Sequence, residues 1–367
     1  MKKSYVAMIV GISVILFSVN LYAQDNDSQP DMLRLLETRM AQLYASAAQS
    51  VVRIILYPHN NHGGDYVKPA PVAMDDRIAT GFIVNSDGYI VTTAEISAQT
   101  GAVAVRTGDD RQYTAEVIAV DEKLDISLLK IDKAGLPALK LGSACSTKPG
   151  HLVMSISNPY GLTNSMSWGF VNSRRRTGLR PGCVENYIQT TLPMNPGDSG
   201  SPLINTSGEV IGIMIAALVD DFPLHKQFDT PIQAQGISFA LPIDLIKKHI
   251  PYMIQHGKAK HSWLGIEIKN ATQNDLQRLL ADDNSSVYGI VITHVFPDSP
   301  AAKAGLIEDD LVTAVGDTEI TKVSDLQFLI STFPVDSEIQ ISIIRNSKPA
   351  TVTVTTGEMP ENILNDN

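Results

Sequence analysis

Short apolar runs rich in Val, Ile and Thr recur between residues 51 and 240, separated by segments that contain Gly, Asn, Asp or Pro. Runs of this length and composition predict β-strands rather than helices. They cover residues 51–55, 78–84, 89–92, 102–106, 115–120, 127–131, 152–156, 167–171, 187–191, 202–204, 210–215 and 237–240. Because about a dozen short strands are expected of a double β-barrel, the sequence predicts a mainly β fold for this region.

Helical patterns flank the β region. Residues 32–47 carry apolar side chains at helical spacing, and residues 243–255 predict a single helix that closes the barrels. The segment at 257–262 contains Gly and Lys and predicts a linker. The predicted organisation is an N-terminal segment at 24–47, a barrel domain at 48–256, a second domain at 263–357 and a polar tail at 358–367.

The first 23 residues have the pattern of an export signal. Lys2 and Lys3 precede an apolar run at 6–19, and polar residues follow Ala23. We therefore predict a signal peptide at 1–23. Since Leu21 stands where signal peptidase usually requires a small residue, an uncleaved membrane anchor is the alternative. Both alternatives place the body of the chain outside the cytoplasm.

Composition argues against nucleic-acid binding, because 39 acidic residues outnumber 29 basic ones and the net charge is −10. The one basic cluster, residues 174–176, predicts a solvated loop, with an anion or regulatory contact as the alternative. Cys145 and Cys183 either form a disulfide bond in an oxidising compartment or are unpaired thiols. No Cys/His grouping has metal-ligand spacing, so the sequence predicts no metal and no other cofactor.

One loop carries the clearest chemical signal. Residues 197–203 read Gly-Asp-Ser-Gly-Ser-Pro-Leu, the loop with which a trypsin-like protease presents its serine nucleophile. A serine hydroxyl needs a neighbouring base, and an imidazole with a pKa near neutrality suits that role. The stretch that should supply the histidine, residues 91–96, reads Val-Thr-Thr-Ala-Glu-Ile instead.

Eight motifs in register resemble the HtrA-type exported serine proteases that carry one C-terminal PDZ domain. They occupy residues 80–84, 86–92, 121–129, 158–161, 188–190, 195–200, 208–213 and 239–242. The resemblance implies a chymotrypsin-like double β-barrel followed by an α+β PDZ domain, in a periplasmic protein. It also implies homotrimers, with mixed trimers that contain an active paralogue as a further option.

Matched residue by residue, the resemblance assigns Ser199 as the nucleophile and Asp125 as the carboxylate that normally orients the histidine. Glu95 stands at the histidine position. The N–H groups of Gly197 and Ser199 match the oxyanion hole, with Asp198 in the loop just before the nucleophile. The resemblance thus implies an active site that has lost its base.

The same resemblance places Pro193 at the floor of the specificity pocket. With Met194, Ile213, Met214 and Ile215 nearby, that pocket would be apolar and would accept an aliphatic side chain. The alternative, which is equally compatible with these residues, is that they simply pack the barrel.

In the second domain, Trp263, Leu264, Gly265 and Ile266 resemble the loop with which PDZ domains bind a peptide carboxylate. A partner peptide would add as a strand to the sheet edge, beside a helix around 323–331. The alternative is a PDZ-shaped domain that only packs on the barrels.

Two functions therefore compete. The first is an impaired or non-hydrolytic homologue that binds unfolded proteins or protein C-termini. The second is a working endopeptidase in which Ser199, Glu95 and Asp125 act together at acidic pH, because neighbouring carboxylates raise one pKa. His225, in the insert before the last barrel strand, is an alternative base for the second function, although its ordinary interpretation is a solvated loop residue.

Overall fold

The computed structural model describes residues 31–57, 77–96, 102–177, 179, 184–215, 236–280 and 288–360. The segment at 1–23, Cys183 and His225 lie outside these ranges, so the hypotheses about them stay predictions. The chain divides into two compact units, residues 1–46 and 47–367. The described part of the first unit belongs to helix α1 (Met32–Ala47), as its apolar spacing predicts. None of the described helices is long and apolar enough to cross a membrane.

The first six strands of the second unit close into an antiparallel barrel. They are β1 (Val51–Leu56), β2 (Arg77–Ile83), β3 (Tyr89–Thr93), β4 (Val103–Arg106), β5 (Gln112–Asp121) and β6 (Ile126–Ile131), in the order β1-β2-β3-β6-β5-β4. Val52, Ile54 and Leu56 alternate along β1 and lie in its core, as the period of two in a strand requires.

Six further strands close into a second barrel with the same type of order, β10-β11-β12-β9-β8-β7. They are β7 (Leu152–Ser157), β8 (Ser165–Arg176), β9 (Tyr187–Thr190), β10 (Pro202–Asn205), β11 (Val210–Ile215) and β12 (Ser238–Pro242). Each of the twelve strands overlaps one of the twelve predicted runs. The mainly β, double-barrel prediction is therefore confirmed.

Strand β8 extends further than its composition predicts. The predicted strand ended at residue 171 and residues 174–176 were expected in a solvated loop, but Ser173 and Arg176 pair with Gln189 and Tyr187 of β9. The loop prediction was wrong, because cross-strand partners hold these polar residues extended and composition does not reveal such partners.

The helix predicted at 243–255 is two helices, α2 (Ile243–Lys247) and α3 (Ile250–His256). Pro251 lies in the first turn of α3. Because proline lacks an N–H and its ring clashes with the carbonyl four residues earlier, it starts a helix readily but does not continue one. The resulting break leaves Lys248 and His249 at the junction of the two helices.

The remaining residues form an α+β domain around a separate hydrophobic core. Its main sheet has the order β14-β15-β16-β18-β19, with β17 beside β16, and β13 pairs with β20. The strands are β13 (Ser262–Trp263), β14 (Ile266–Asn270), β15 (Ile290–Val295), β16 (Leu311–Val315), β17 (Thr318–Glu319), β18 (Glu338–Arg345), β19 (Lys348–Thr355) and β20 (Gly357–Glu358). The helices are α4 (Gln273–Leu279), α5 (Pro300–Ala304) and α6 (Val323–Thr332).

Candidate active site and peptide groove

Strand pairing brings two of the predicted catalytic positions together. Thr93 at the end of β3 pairs with Ile126 at the start of β6, and the Ala94 N–H donates to the Asp125 carbonyl oxygen at 3.1 Å. Glu95 is therefore one residue from the hydrogen bond that joins the two chain segments. Its side chain is exposed in a short 3₁₀ turn, whereas Asp125 is buried.

The loop that carries Ser199 is held by both barrels. From the first barrel, the Thr80 N–H donates to the Ser199 carbonyl oxygen at 2.9 Å; in the second barrel, the Gly200 N–H donates to the Met214 carbonyl oxygen at 2.8 Å. Gly200 has φ +85°, and a Cβ there would lie 2.1 Å from the Thr80 carbonyl oxygen. Only glycine fits this approach, which places Ser199 against β2.

A buried hydroxyl ties the same loop to a third segment. Thr80 Oγ1 donates to the Gly197 carbonyl oxygen at 2.6 Å and accepts from the backbone N–H of Asn158 at 3.0 Å and from its side-chain amide at 3.2 Å. Thr80 and Asn158 are fully buried. Both residues belong to motifs noted in the sequence, but their hydrogen bonds could not be predicted from those motifs.

The predicted oxyanion hole has a geometry that only glycine permits. Gly197 has φ +99°, and a Cβ there would lie 2.4 Å from the Asn158 carbonyl oxygen. Within the described residues, neither the Gly197 N–H nor the Ser199 N–H donates a hydrogen bond. Among the described residues, both donors thus lack a competing acceptor, as the predicted oxyanion hole requires.

Asp198 stabilises the loop from inside. Its Oδ2 accepts the Asn195 N–H at 2.7 Å, whereas its Oδ1 is buried without a hydrogen-bond partner among the described residues. Burial raises the pKa of Asp198, although the nearby Ser157 and Asn195 offset part of the increase. The Asp198 side chain is thus a positioning group for the turn that presents Ser199.

Unpaired polar side chains occur on the side of the candidate site that should hold the base. Within the described residues, Thr93 Oγ1 and Ser127 Oγ are buried without a hydrogen-bond partner. Thr93 directly precedes the turn that carries Glu95. An unpaired buried hydroxyl is unfavourable for the folded state.

The predicted specificity pocket is brought together only in part. Pro193 is exposed, but Met194 and Met214 pack in the core of the second barrel. Ile213 and Ile215 are also buried, on either side of Met214 along β11. Barrel packing therefore accounts for the two methionines, and the apolar pocket stays a prediction.

In the second domain, β14 is an edge strand that pairs only with β15 among the described strands. Ile266 and Ile268 of β14 and Val323 of α6 lie partly buried against the domain core. Gly265 has φ +79°, and a Cβ there would lie 2.2 Å from Ser299 Cβ. A free edge beside an apolar helix face is the arrangement that lets a peptide add as a strand.

The other two residues of the predicted carboxylate loop have structural roles. Leu264 lies in the domain core, where its carbonyl oxygen accepts the Ala301 N–H at 2.9 Å. The Trp263 ring is 5.9 Å from that of Phe296. These contacts hold the loop in place beside the groove.

Helix α6, which lies beside the predicted peptide groove, is hydrogen-bonded to the barrel domain at its C-terminal end. Lys248 Nζ donates to the Thr332 carbonyl oxygen, and His249 Nε2 lies 3.4 Å from the Ser331 carbonyl oxygen. At the other end, Lys322 Nζ donates to the Arg175 carbonyl oxygen at 3.3 Å. Cations at the C-terminus of a helix also interact favourably with its dipole.

Comparison with known proteins agrees with this architecture. The model of the trypsin-like peptidase domain matches residues 79–213, and that of the PDZ domain matches residues 262–356. A probable periplasmic serine endoprotease, DegP-like, from Halomonas elongata is 32% identical over 335 residues, which cover 89% of this chain and 67% of that protein. The chain belongs to the DegP-like serine endoprotease family. A protein of the same description from Pseudomonas putida is 33% identical over 284 residues, which cover 77% of this chain and 56% of that protein.

Solved structures of HtrA-type proteases share the fold of this DegP-like chain. The protease AlgW with a tripeptide superposes with a TM-score of 0.68 at 26% identity, covering 87% of this chain and 97% of that one. A serine endoprotease from Yersinia pestis gives a TM-score of 0.57 at 25% identity, covering 87% and 98%. The chain thus spans nearly all of these solved chains, but only about half to two thirds of its curated DegP-like relatives.

Proposed function

We propose that this chain is an exported DegP-like protease homologue whose peptide-bond hydrolysis is lost or strongly impaired. It acts in envelope protein quality control or regulation by binding unfolded proteins or protein C-termini through its PDZ domain. The observation that carries the proposal is the position of Glu95. It occupies the turn that adjoins Asp125, where a serine protease of this family needs an imidazole.

The chemical argument concerns the strength of the base. A carboxylate of ordinary pKa accepts a serine proton far less readily than imidazole does at neutral pH. Loss of the base from a catalytic triad lowers kcat by about 10⁶, which is about 8 kcal/mol of activation free energy. A free β14 edge and an apolar face of α6 support peptide binding, a function that needs no base.

Location and assembly belong to the same proposal. We place the chain in the periplasm, either released by cleavage after residue 23 or anchored in the inner membrane by an uncleaved N-terminal segment. The chain would form homotrimers or mixed trimers with an active paralogue. Multi-angle light scattering of the purified chain tests the trimer directly.

A second candidate, an acid-dependent endopeptidase, is favoured by one observation. The N–H groups of Gly197 and Ser199 donate no hydrogen bond within the described residues, so the oxyanion-binding donors are available. In that case Ser199 attacks the scissile carbonyl carbon while Glu95 accepts the serine proton. The C–N bond then breaks as Glu95 returns that proton to the leaving amine, and water hydrolyses the acyl-enzyme.

Cleavage of unfolded casein and labelling by a fluorophosphonate, from pH 4 to pH 8, separate the two functions. The wild-type chain is compared with Ser199→Ala and Glu95→His. We expect no cleavage by the wild-type chain, and cleavage by the Glu95→His variant that disappears when Ser199→Ala is added. Cleavage by the wild-type chain that depends on Ser199, above all below pH 6, would overturn the proposal.

Peptide binding needs its own test. We expect peptides with a free C-terminal carboxylate to bind more tightly than the same peptides with an amidated C-terminus, and Gly265→Ala to weaken that binding. Equal affinity for both forms would contradict carboxylate recognition.

A further inference from the structure

Three buried side chains from distant parts of the sequence meet behind helix α6. They are Asp121 at the end of β5, His249 between α2 and α3, and His261 just before β13. One potential ligand atom from each residue lies within 4.8 Å of those of the other two. Their exposed fractions are 2%, 7% and 7%. Few clusters of titratable groups are this deeply buried without a specific reason.

The hydrogen bonds of Asp121 are incomplete in a way that points to a ligand. Its Oδ1 accepts from the Leu124 N–H at 3.1 Å and lies 2.9 Å from His261 Nε2. Its Oδ2 is buried with no hydrogen-bond partner among the described residues. A buried carboxylate oxygen without a partner is unfavourable, and a bound cation removes that penalty.

We propose that Asp121, His249 and His261 bind a divalent transition-metal ion of the zinc type at the junction between the first barrel and the PDZ domain. Two imidazoles and one carboxylate are ligands that zinc accepts, with a fourth position left for water. A tetrahedral ion with bonds of about 2.0–2.2 Å separates its ligand atoms by about 3.3–3.6 Å. The three ligand atoms lie within 4.8 Å of one another, so on binding the ion they would have to come closer by at most about 1.5 Å.

His249 has a backbone partner for one of its ring nitrogens. His249 Nε2 lies 3.4 Å from the Ser331 carbonyl oxygen. A metal-bound histidine usually donates its second N–H to a group of this kind, which fixes the orientation of the ring.

The ion would hold together three segments that come from different parts of the sequence. Asp121 begins the turn that leads to Asp125, and His261 leads into the first strand of the PDZ domain. His249 contacts the last turn of α6, beside the peptide groove. The bound ion therefore links the turn of the predicted catalytic carboxylate to the peptide-binding domain, a property that goes beyond the proposed function.

Sequence spacing could not have revealed this site. The ligands are 128 and 12 residues apart along the chain, and the spacing of neither pair matches a known zinc pattern. The prediction that the chain binds no metal rested on spacing alone.

Zinc uptake by the full chain, purified without a polyhistidine tag and stripped with a chelator, tests the proposal. Calorimetry and metal analysis are applied to the wild-type chain and to Asp121→Asn, His249→Gln and His261→Gln. The matched control is His256→Gln, because His256 is exposed at the end of α3. We expect one zinc ion per chain in the wild type and in the control. Each ligand variant should bind at least about 100-fold more weakly, since loss of a residue that only hydrogen-bonds to a metal ligand already weakens binding about 10–100-fold.

Thermal unfolding gives an independent readout. A ligand that binds only the native state raises its melting temperature, so zinc should stabilise the wild type and His256→Gln but not the ligand variants. His249→Gln and His261→Gln keep the test valid if Asp121→Asn fails to fold. Absence of zinc uptake by the wild type, or unchanged uptake by all three variants, would overturn the proposal. Protease activity enters none of these measurements, so their failure is distinct from failure of the proposed function.

Discussion

The two sides of the candidate active site differ in the hydrogen bonds that hold their residues. On the nucleophile side, Thr80, Asn158 and Gly197 form a buried network that joins both barrels. On the base side, Glu95 is exposed, and the neighbouring Thr93 hydroxyl is buried without a partner within the described residues. The nucleophile loop is thus also a structural connection. A chain that has lost catalysis has a reason to retain the backbone of this loop, because the connection is made by the carbonyl groups of Gly197 and Ser199.

The largest effect should come from Gly200→Ala. The new Cβ would meet the Thr80 carbonyl oxygen at 2.1 Å in a left-handed backbone conformation. We expect a loss of about 3 kcal/mol or more in unfolding free energy, measured by denaturant titration. Gly135→Ala is the control, because Gly135 has φ +74° but nothing within 4 Å of its Cβ position. It should lose only about 1–2 kcal/mol. Equal losses in the two variants would show that the close approach of Gly200 to Thr80 does not restrict the loop.

Thr80→Val and Thr93→Val compare the two sides directly. Thr80→Val leaves the buried Asn158 N–H and Gly197 carbonyl oxygen without their partner, so we expect a loss of about 2–3 kcal/mol. Thr93→Val removes a hydroxyl that has no partner among the described residues, and should be neutral or stabilising. Denaturant titration of both variants checks the difference. A larger loss from Thr93→Val would reverse the comparison.

The smallest effects concern pH. The folded-state pKa of Asp198 is raised by burial, so its charge destabilises the fold at neutral pH, and protonation relieves this as the pH falls through the folded pKa. We expect Asp198→Asn to melt at or above the wild-type temperature at pH 7, with the advantage shrinking toward pH 4.

Asp275 in the PDZ domain should show the opposite dependence of stability on pH. Bonds from Lys269 and Thr272 hold the pKa of Asp275 well below its usual range. Its charge therefore stabilises the fold above the unfolded-state pKa, and this contribution is lost as the pH falls through the folded pKa. Asp275→Asn should lower the melting temperature at pH 7, with a deficit that shrinks only below about pH 4. Melting curves of both variants across pH that shift in the same direction would contradict these assignments.

Local composition was enough to predict the strands. Each of the twelve runs rich in Val, Ile and Thr overlaps an observed strand, and the helix at Met32–Ala47 has its predicted bounds. Predictions failed where a distant contact or a backbone constraint determines the bounds of a strand or helix. Strand β8 extends to Arg176 because β9 pairs with it, and the closing helix breaks before Pro251.

The sequence by itself determined the fold class, because alternating apolar residues and turn-forming residues act over a few positions. It also predicted which residue types stand at the catalytic positions, with Glu95 where the family resemblance implies an imidazole. Only the tertiary structure decided which of these side chains share hydrogen bonds. Thr80 bonds to Asn158 across 78 residues, and Asp121 meets His261 across 140. Such contacts depend on how closed barrels and a neighbouring domain pack, and side chains that come from distant segments leave no periodic signal in the chain.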